Sequence, residues 1–169
     1  MPELAANIRL VHYSRWPLKE VWDCRRKQAV ACKPDGLWAS CDEYEMNWPH
    51  WCREAGFELA SFNVAQRVHL APAANVLVVS GASAIDAFTK RYETTGRLGR
   101  LMDGWMIDWP RVAADYQGIV ITPYCWSRRL ATGWYHGWDC ASGCIWDPAA
   151  VQRIERLPEC FNNEERTEP

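Results

Sequence analysis

The chain has 169 residues, with 19 basic and 21 acidic side chains and a net charge of −2. That is the size of one ordinary domain, which buries roughly 70% of the surface its unfolded chain exposes and needs no staple to fold. The balanced charge excludes a strongly basic field for nonspecific nucleic-acid binding, so nucleic acid is not indicated, and no apolar run is long enough to span a bilayer.

In chain order, residues 7–13 (NIRLVHY) alternate and carry β-branched side chains, predicting a strand that Pro17 ends. Residues 18–31 place Leu18, Val21, Trp22 and Ala29 at helical spacing. Lys33-Pro34-Asp35-Gly36 is a turn signature, followed by a short strand over residues 37–41. Asp42 is read as the cap of a helix whose face carries Trp48, Trp51 and Cys52, with Pro49 in its first turn and Gly56 at its end. Residues 57–70 and 74–80 read as strands. A helix begins at Ser83 as N-cap and buries Ile85, Phe88 and Tyr92. Residues 94–104 form a polar loop. Asp108 caps a helix running to Asp115, and residues 118–122 (GIVIT) form a buried strand. Residues 123–143 are irregular, residues 144–146 a final strand and residues 149–157 a final helix. Strands and helices interleave without strict alternation. The expected fold is therefore α+β, a mixed, mostly antiparallel sheet with peripheral helices. Residues 1–158 form one domain and residues 159–169 a polar tail.

Three segments carry candidate chemistry. His12, beside Tyr13 and Ser14 at a strand end, can hydrogen-bond a sugar or an amide, or be satisfied by a backbone carbonyl. Trp38 and Ser40 share one side of a short strand by the period of two. A flat ring beside a hydroxyl suits a flat heterocycle bearing an amide, and equally a core tryptophan. Residues 133–144 (GWYHGWDCASGC) gather Tyr135, His136, Asp139 and Ser142 among glycines, in a long loop before a strand. No G-x-S-x-G elbow, phosphate-binding glycine loop or H-E-x-x-H occurs. The opening MPELAANIRL lacks a basic segment followed by an apolar stretch, so a cytoplasmic setting is expected. There the 8 cysteines are thiols or metal ligands. With no C-x-x-C pair, they read as buried thiols, and no metal site is assigned.

Taken in order, these segments resemble the ADP-ribosyltransferases of the diphtheria-toxin and poly-ADP-ribose-polymerase branch. LVHYS is similar to that family's strand with a histidine and a small polar residue. DGLWAS followed by WPHWC resembles its glycine–apolar–aromatic turn, with Trp38 where a tyrosine usually stands. ASGCIWDPAAV resembles the last strand, with Trp146-Asp147 as the aromatic–Asp pair and Ser142 in place of the usual glutamate. The resemblance implies NAD as the small-molecule substrate. It places His12 on the adenosine-side ribose, backbone near Tyr13 and Ser14 on the nicotinamide amide, and Trp38, beside Ser40, on the nicotinamide ring. Asp139 would supply the carboxylate that Ser142 lacks. The expected activity is ADP-ribosyl transfer to a macromolecular acceptor, as in a toxin, an effector or a phage-type protein. Two further readings stand beside it. One is a non-catalytic binding or inhibitory protein on the same fold that uses the Trp-rich loop as an interface with a protein partner. The other is a zinc-stabilised interaction module.

Overall fold

A computed structural model describes residues 8–18, 27–57, 62–94 and 104–158. Most of the helix expected over residues 18–31, part of the strand at 57–70, most of the loop at 94–104 and the polar tail at 159–169 lie outside these residues.

The described fold is α+β. A curled, mixed seven-stranded sheet is built from β1 (Leu10–Ser14), β3 (Leu37–Cys41), β4 (Val64–Leu70), β5 (Val76–Val79), β7 (Gly118–Ile121), β8 (Ser142–Ile145) and β9 (Val151–Arg156). Its order is β5-β7-β8-β3-β1-β4-β9. Among the described strands only β5 and β7 pair in parallel. A small second sheet joins β2 (Val30–Ala31) to β6 (Ile107–Asp108). Helices α1 (Trp48–Glu54), α2 (Ala82–Tyr92), α3 (Trp109–Asp115) and α4 (Trp126–Arg129) flank the sheets.

Several local signals act as the sequence leads one to expect. The Asp108 carboxylate accepts from the Arg111 amide and caps α3, with a proline in the first turn. Ile85, Phe88 and Tyr92 form the buried stripe of α2, and Phe88 packs on Trp109 and Trp134 with ring centres 5.8 and 5.1 Å away. Other signals lose to competitors. Asn47, not Asp42, caps α1, because its side chain accepts from His50 while Asp42 is taken by the Tyr13 hydroxyl. Gly81, not Ser83, caps α2; its φ of 81° suits a residue without a Cβ. Val30 and Ala31 pair with β6 rather than ending a helix.

The largest correction is at residues 149–157. Val151, Ile154 and Leu157 fit a helical stripe, yet Pro148–Ala150 makes a single 3-10 turn and Val151–Arg156 is a strand. β4 offers an edge that β1 does not cover, and β9 takes it from Gln66↔Arg156 to Leu70↔Val151. Unpaired backbone groups along a buried strand are more costly than a lost helix turn. His69 and Arg153 both contact Glu155, at 2.7 and 2.9 Å, which keeps this outer edge charged.

The core draws on Leu10, Ile85, Val112, Ile119, Ile145 and neighbours. Tight backbone approach admits glycine alone at the start of β3. A Cβ on Gly36 would lie 2.5 Å from the Ile145 carbonyl oxygen and 2.9 Å from the Cys144 sulfur. Gly36→Ala should therefore lower the unfolding free energy by about 2 kcal/mol, read as a drop in the urea midpoint. An unchanged midpoint would mean that β3 and β8 can part there without cost.

Candidate functional site

β1 and β3 pair only at Leu10↔Cys41 and Val11↔Ser40. Beyond Val11 the two strands separate. β1 continues with β4 as far as Ser14↔Val64, while β3 continues with β8 through Trp38↔Cys144 and Leu37↔Ile145. The gap between them opens a cleft of about 320 Å³. His12 and Tyr13 line it from β1, Trp38 and Ser40 from β3, and Asp139 and Ser142 from the last loop and β8. Of the residues singled out in the sequence, these six share one cleft. Ser14 does not line it; its hydroxyl donates to the Trp16 carbonyl, 2.8 Å away.

His12 sits at the branch. Its Nδ1 lies 2.7 Å from the Trp38 carbonyl oxygen. A carbonyl only accepts, so Nδ1 carries the hydrogen. Burial lowers the imidazole pKa below 6.5, with the Trp38 bond opposing that shift. The ring is therefore neutral at pH 7, and Nε2 presents a lone pair. The Tyr13 hydroxyl donates to Asp42. The Ser40 hydroxyl accepts from the Trp48 amide at 2.9 Å, which ties the start of α1 to the cleft floor. Directly across the ladder from Ser40, the Ser142 hydroxyl donates to the Cys140 carbonyl at 3.0 Å.

The tryptophan-rich loop is organised differently from its sequence. Trp134 and Tyr135 are fully buried, and they belong to the core rather than to an interface or a ligand wall. The Trp134 indole N–H donates to the Thr89 hydroxyl, and the Tyr135 hydroxyl accepts from the Cys125 amide. Trp138 is the loop's one tryptophan that lines the cleft, and its ring centre is 4.8 Å from that of Trp38. His136 is exposed.

Asp139 is held by cations. Arg129 donates to Oδ1 at 3.1 Å and, with its other terminal nitrogen, to the Tyr124 hydroxyl at 2.8 Å. Lys33 Nζ lies 4.0 Å from Oδ2. Sequence reasoning missed Lys33, Trp48 and Cys140 as lining residues and Arg129 as the anchor of Asp139. Lys33 was visible only as the first residue of a turn, and Trp48 only as part of a helix face. Burial pushes the Cys140 thiol up to about 12, so it stays protonated and is a poor nucleophile. Among the described residues, no group of three His, Cys, Asp or Glu is placed to hold a metal ion. Among them, too, no helix is long and apolar enough to cross a membrane.

No family model, no curated protein sequence and no solved structure matches this chain.

The depressed His12 pKa sets a pH dependence. The unfolded chain binds the proton more readily than the folded one. The stability that His12 contributes is therefore fully present above about pH 6.5 and is lost as pH falls through that value toward the folded pKa. Urea midpoints at pH 7.5 and 5.5 should differ less for His12→Gln than for the parent chain. Equal differences would show that the imidazole is not buried as a neutral ring.

Proposed function

We propose that the chain is an ADP-ribosyltransferase-like domain that takes the nicotinamide–ribose end of NAD into the β1–β3 cleft. The observation that carries this reading is the fixed His12 tautomer, which leaves an Nε2 acceptor beside the Trp38 ring in one cleft. A lone-pair nitrogen suits a ribose hydroxyl, here that of the nicotinamide side rather than the adenosine side that the family resemblance implies, and an indole suits a flat heterocycle bearing an amide. A cleft of about 320 Å³ encloses one end of a dinucleotide and leaves the other outside.

In the proposed reaction the bond between the ribose carbon and the nicotinamide nitrogen breaks, and nicotinamide leaves with the electron pair. An acceptor nucleophile forms the new bond to that carbon and loses its proton to solvent. Positive charge develops on the ribose as the first bond stretches. Among the described residues Asp139 is the one acid lining the cleft, and Arg129 fixes its carboxylate at the rim. It is the group proposed to meet that charge. Ser142 cannot do so, since its hydroxyl is neutral and donates to the Cys140 carbonyl. A macromolecular acceptor is favoured by the rim itself. The helix that supplies Arg129 also exposes Trp126, and Leu130 follows it, at 58% and 85% accessibility. Large apolar side chains of this kind suit a protein contact.

Titration calorimetry with NAD tests the binding half of the proposal. The parent chain should bind, and His12→Ala should weaken binding about tenfold. Labelled NAD mixed with cell lysate tests the transfer half. Label should appear on a macromolecule, and Asp139→Asn should slow its appearance about 100-fold without changing the melting temperature. No binding of NAD by the parent chain would overturn the reading. Binding without transfer would leave a binding protein on this cleft.

A further inference from the structure

Lys33 stands out among the charged groups of the cleft because of what it lacks. Its ammonium makes no hydrogen bond among the described residues: Asp139 Oδ2, at 4.0 Å, is beyond hydrogen-bonding distance. Arg129 already donates to the same carboxylate through the other oxygen. Among the described residues Asp139 is the only acid lining the cleft, and it is shared by Lys33 and Arg129.

The lysine is also held in place. Its Nζ lies 5.3 Å from the centre of the Trp38 ring, on the face of a side chain that itself packs on Trp138. On its other flank, a Cβ added to Gly137 would come within 3.2 Å of Lys33 Cε. The stem is thus lodged between an indole and a glycine, while 40% of the side chain remains accessible. An ammonium keeps three donors. Here they project from a stem packed beside the cleft.

We propose that Lys33, backed by the Arg129–Asp139 pair, forms an anion-binding mouth to the cleft that takes the phosphates of a phosphorylated ligand. Lys33 is the residue that touches the phosphate; Arg129 and Asp139 are positioning residues. The assignment rests on the NAD reading of the same cleft and extends it: the ribose end goes in, and the pyrophosphate stays at the mouth. It also relieves a conflict in that reading. A phosphate on Lys33 offsets the cation near Asp139 Oδ2 and leaves Arg129 as the carboxylate's bonded counter-ion.

The test compares three probes by titration calorimetry at low ionic strength: NAD, nicotinamide riboside and inorganic pyrophosphate. The parent chain should bind NAD more tightly than nicotinamide riboside, and pyrophosphate should compete with NAD. Lys33→Gln should weaken NAD and pyrophosphate about tenfold and leave nicotinamide riboside unchanged. Lys33→Arg should restore most of the loss, and added salt should weaken NAD more than the riboside. Thermal melts of both variants establish that the fold is intact. Equal loss for NAD and the riboside, or no loss for either, overturns the phosphate role while leaving NAD binding standing. Pyrophosphate binding that depends on Lys33, without any binding of NAD, keeps the anion site and removes the NAD reading. Failure of the parent chain to bind either NAD or pyrophosphate removes both.

Discussion

The whole site depends on where β1 parts from β3. Two paired positions hold the strands together, and then each follows a different neighbour: β1 stays with β4 and β3 with β8. Parting leaves the Trp38 carbonyl without a strand amide on that side, and a buried carbonyl needs a donor. The His12 imidazole supplies it at 2.7 Å. One side chain thus closes the end of a ladder and acquires a fixed tautomer. Its other nitrogen is left as an acceptor at the point where the cleft begins. Structural and chemical roles are the same hydrogen bond.

The aromatic lining of the cleft continues into the core. Phe88 of α2 touches Trp134, Trp134 is edge-on to Trp138 at 5.9 Å, and Trp138 packs on Trp38. Along this row the deeper indoles are satisfied: Trp109 donates to the Ala31 carbonyl, Trp134 to Thr89 and Trp146 to the Tyr116 carbonyl. Trp138 is different. Among the described residues its buried N–H meets no oxygen or nitrogen acceptor, and the Trp38 and Trp134 rings pack on the Trp138 ring. A buried indole left in this way costs on the order of 1–3 kcal/mol. The fold accepts that cost to keep a ring beneath Trp38. Trp109, Trp134 and Trp146 are thus scaffold, while Trp38, Trp48 and Trp138 are the rings that reach the cleft.

Charge at the mouth is arranged across three separate stretches of chain. Lys33 comes from the turn before β3, Arg129 from the end of α4, and Asp139 from the loop before β8. A carboxylate with one cation bonded and a second within 4.0 Å is fixed in orientation and has its charge compensated. The Asp86 pair with Arg128, one residue from Arg129, is a separate and more exposed surface contact. Neighbouring arginines on one short helix therefore serve different surroundings.

Local chemistry made much of this legible in the sequence. The short strand at residues 37–41 after its turn, the stripe of Ile85, Phe88 and Tyr92 and the Asp108 cap are short-range patterns, and short-range forces decide them. The candidate residues His12, Trp38, Ser40, Asp139 and Ser142 were visible because polar groups at strand ends and beside glycines are unusual inside a domain. What the sequence could not carry was partnership. Residues 151–156 fit a helix by spacing and became a strand because β4 had an open edge, a fact about a segment more than 80 residues away. Trp134 and Tyr135 looked like loop residues and are core because α2 lies over them. Lys33 became part of the cleft only when β3 and β8 brought it to Asp139. Hydrogen-bond accounting and close packing act between whatever segments the fold makes adjacent, and adjacency of that kind is set by tertiary structure alone.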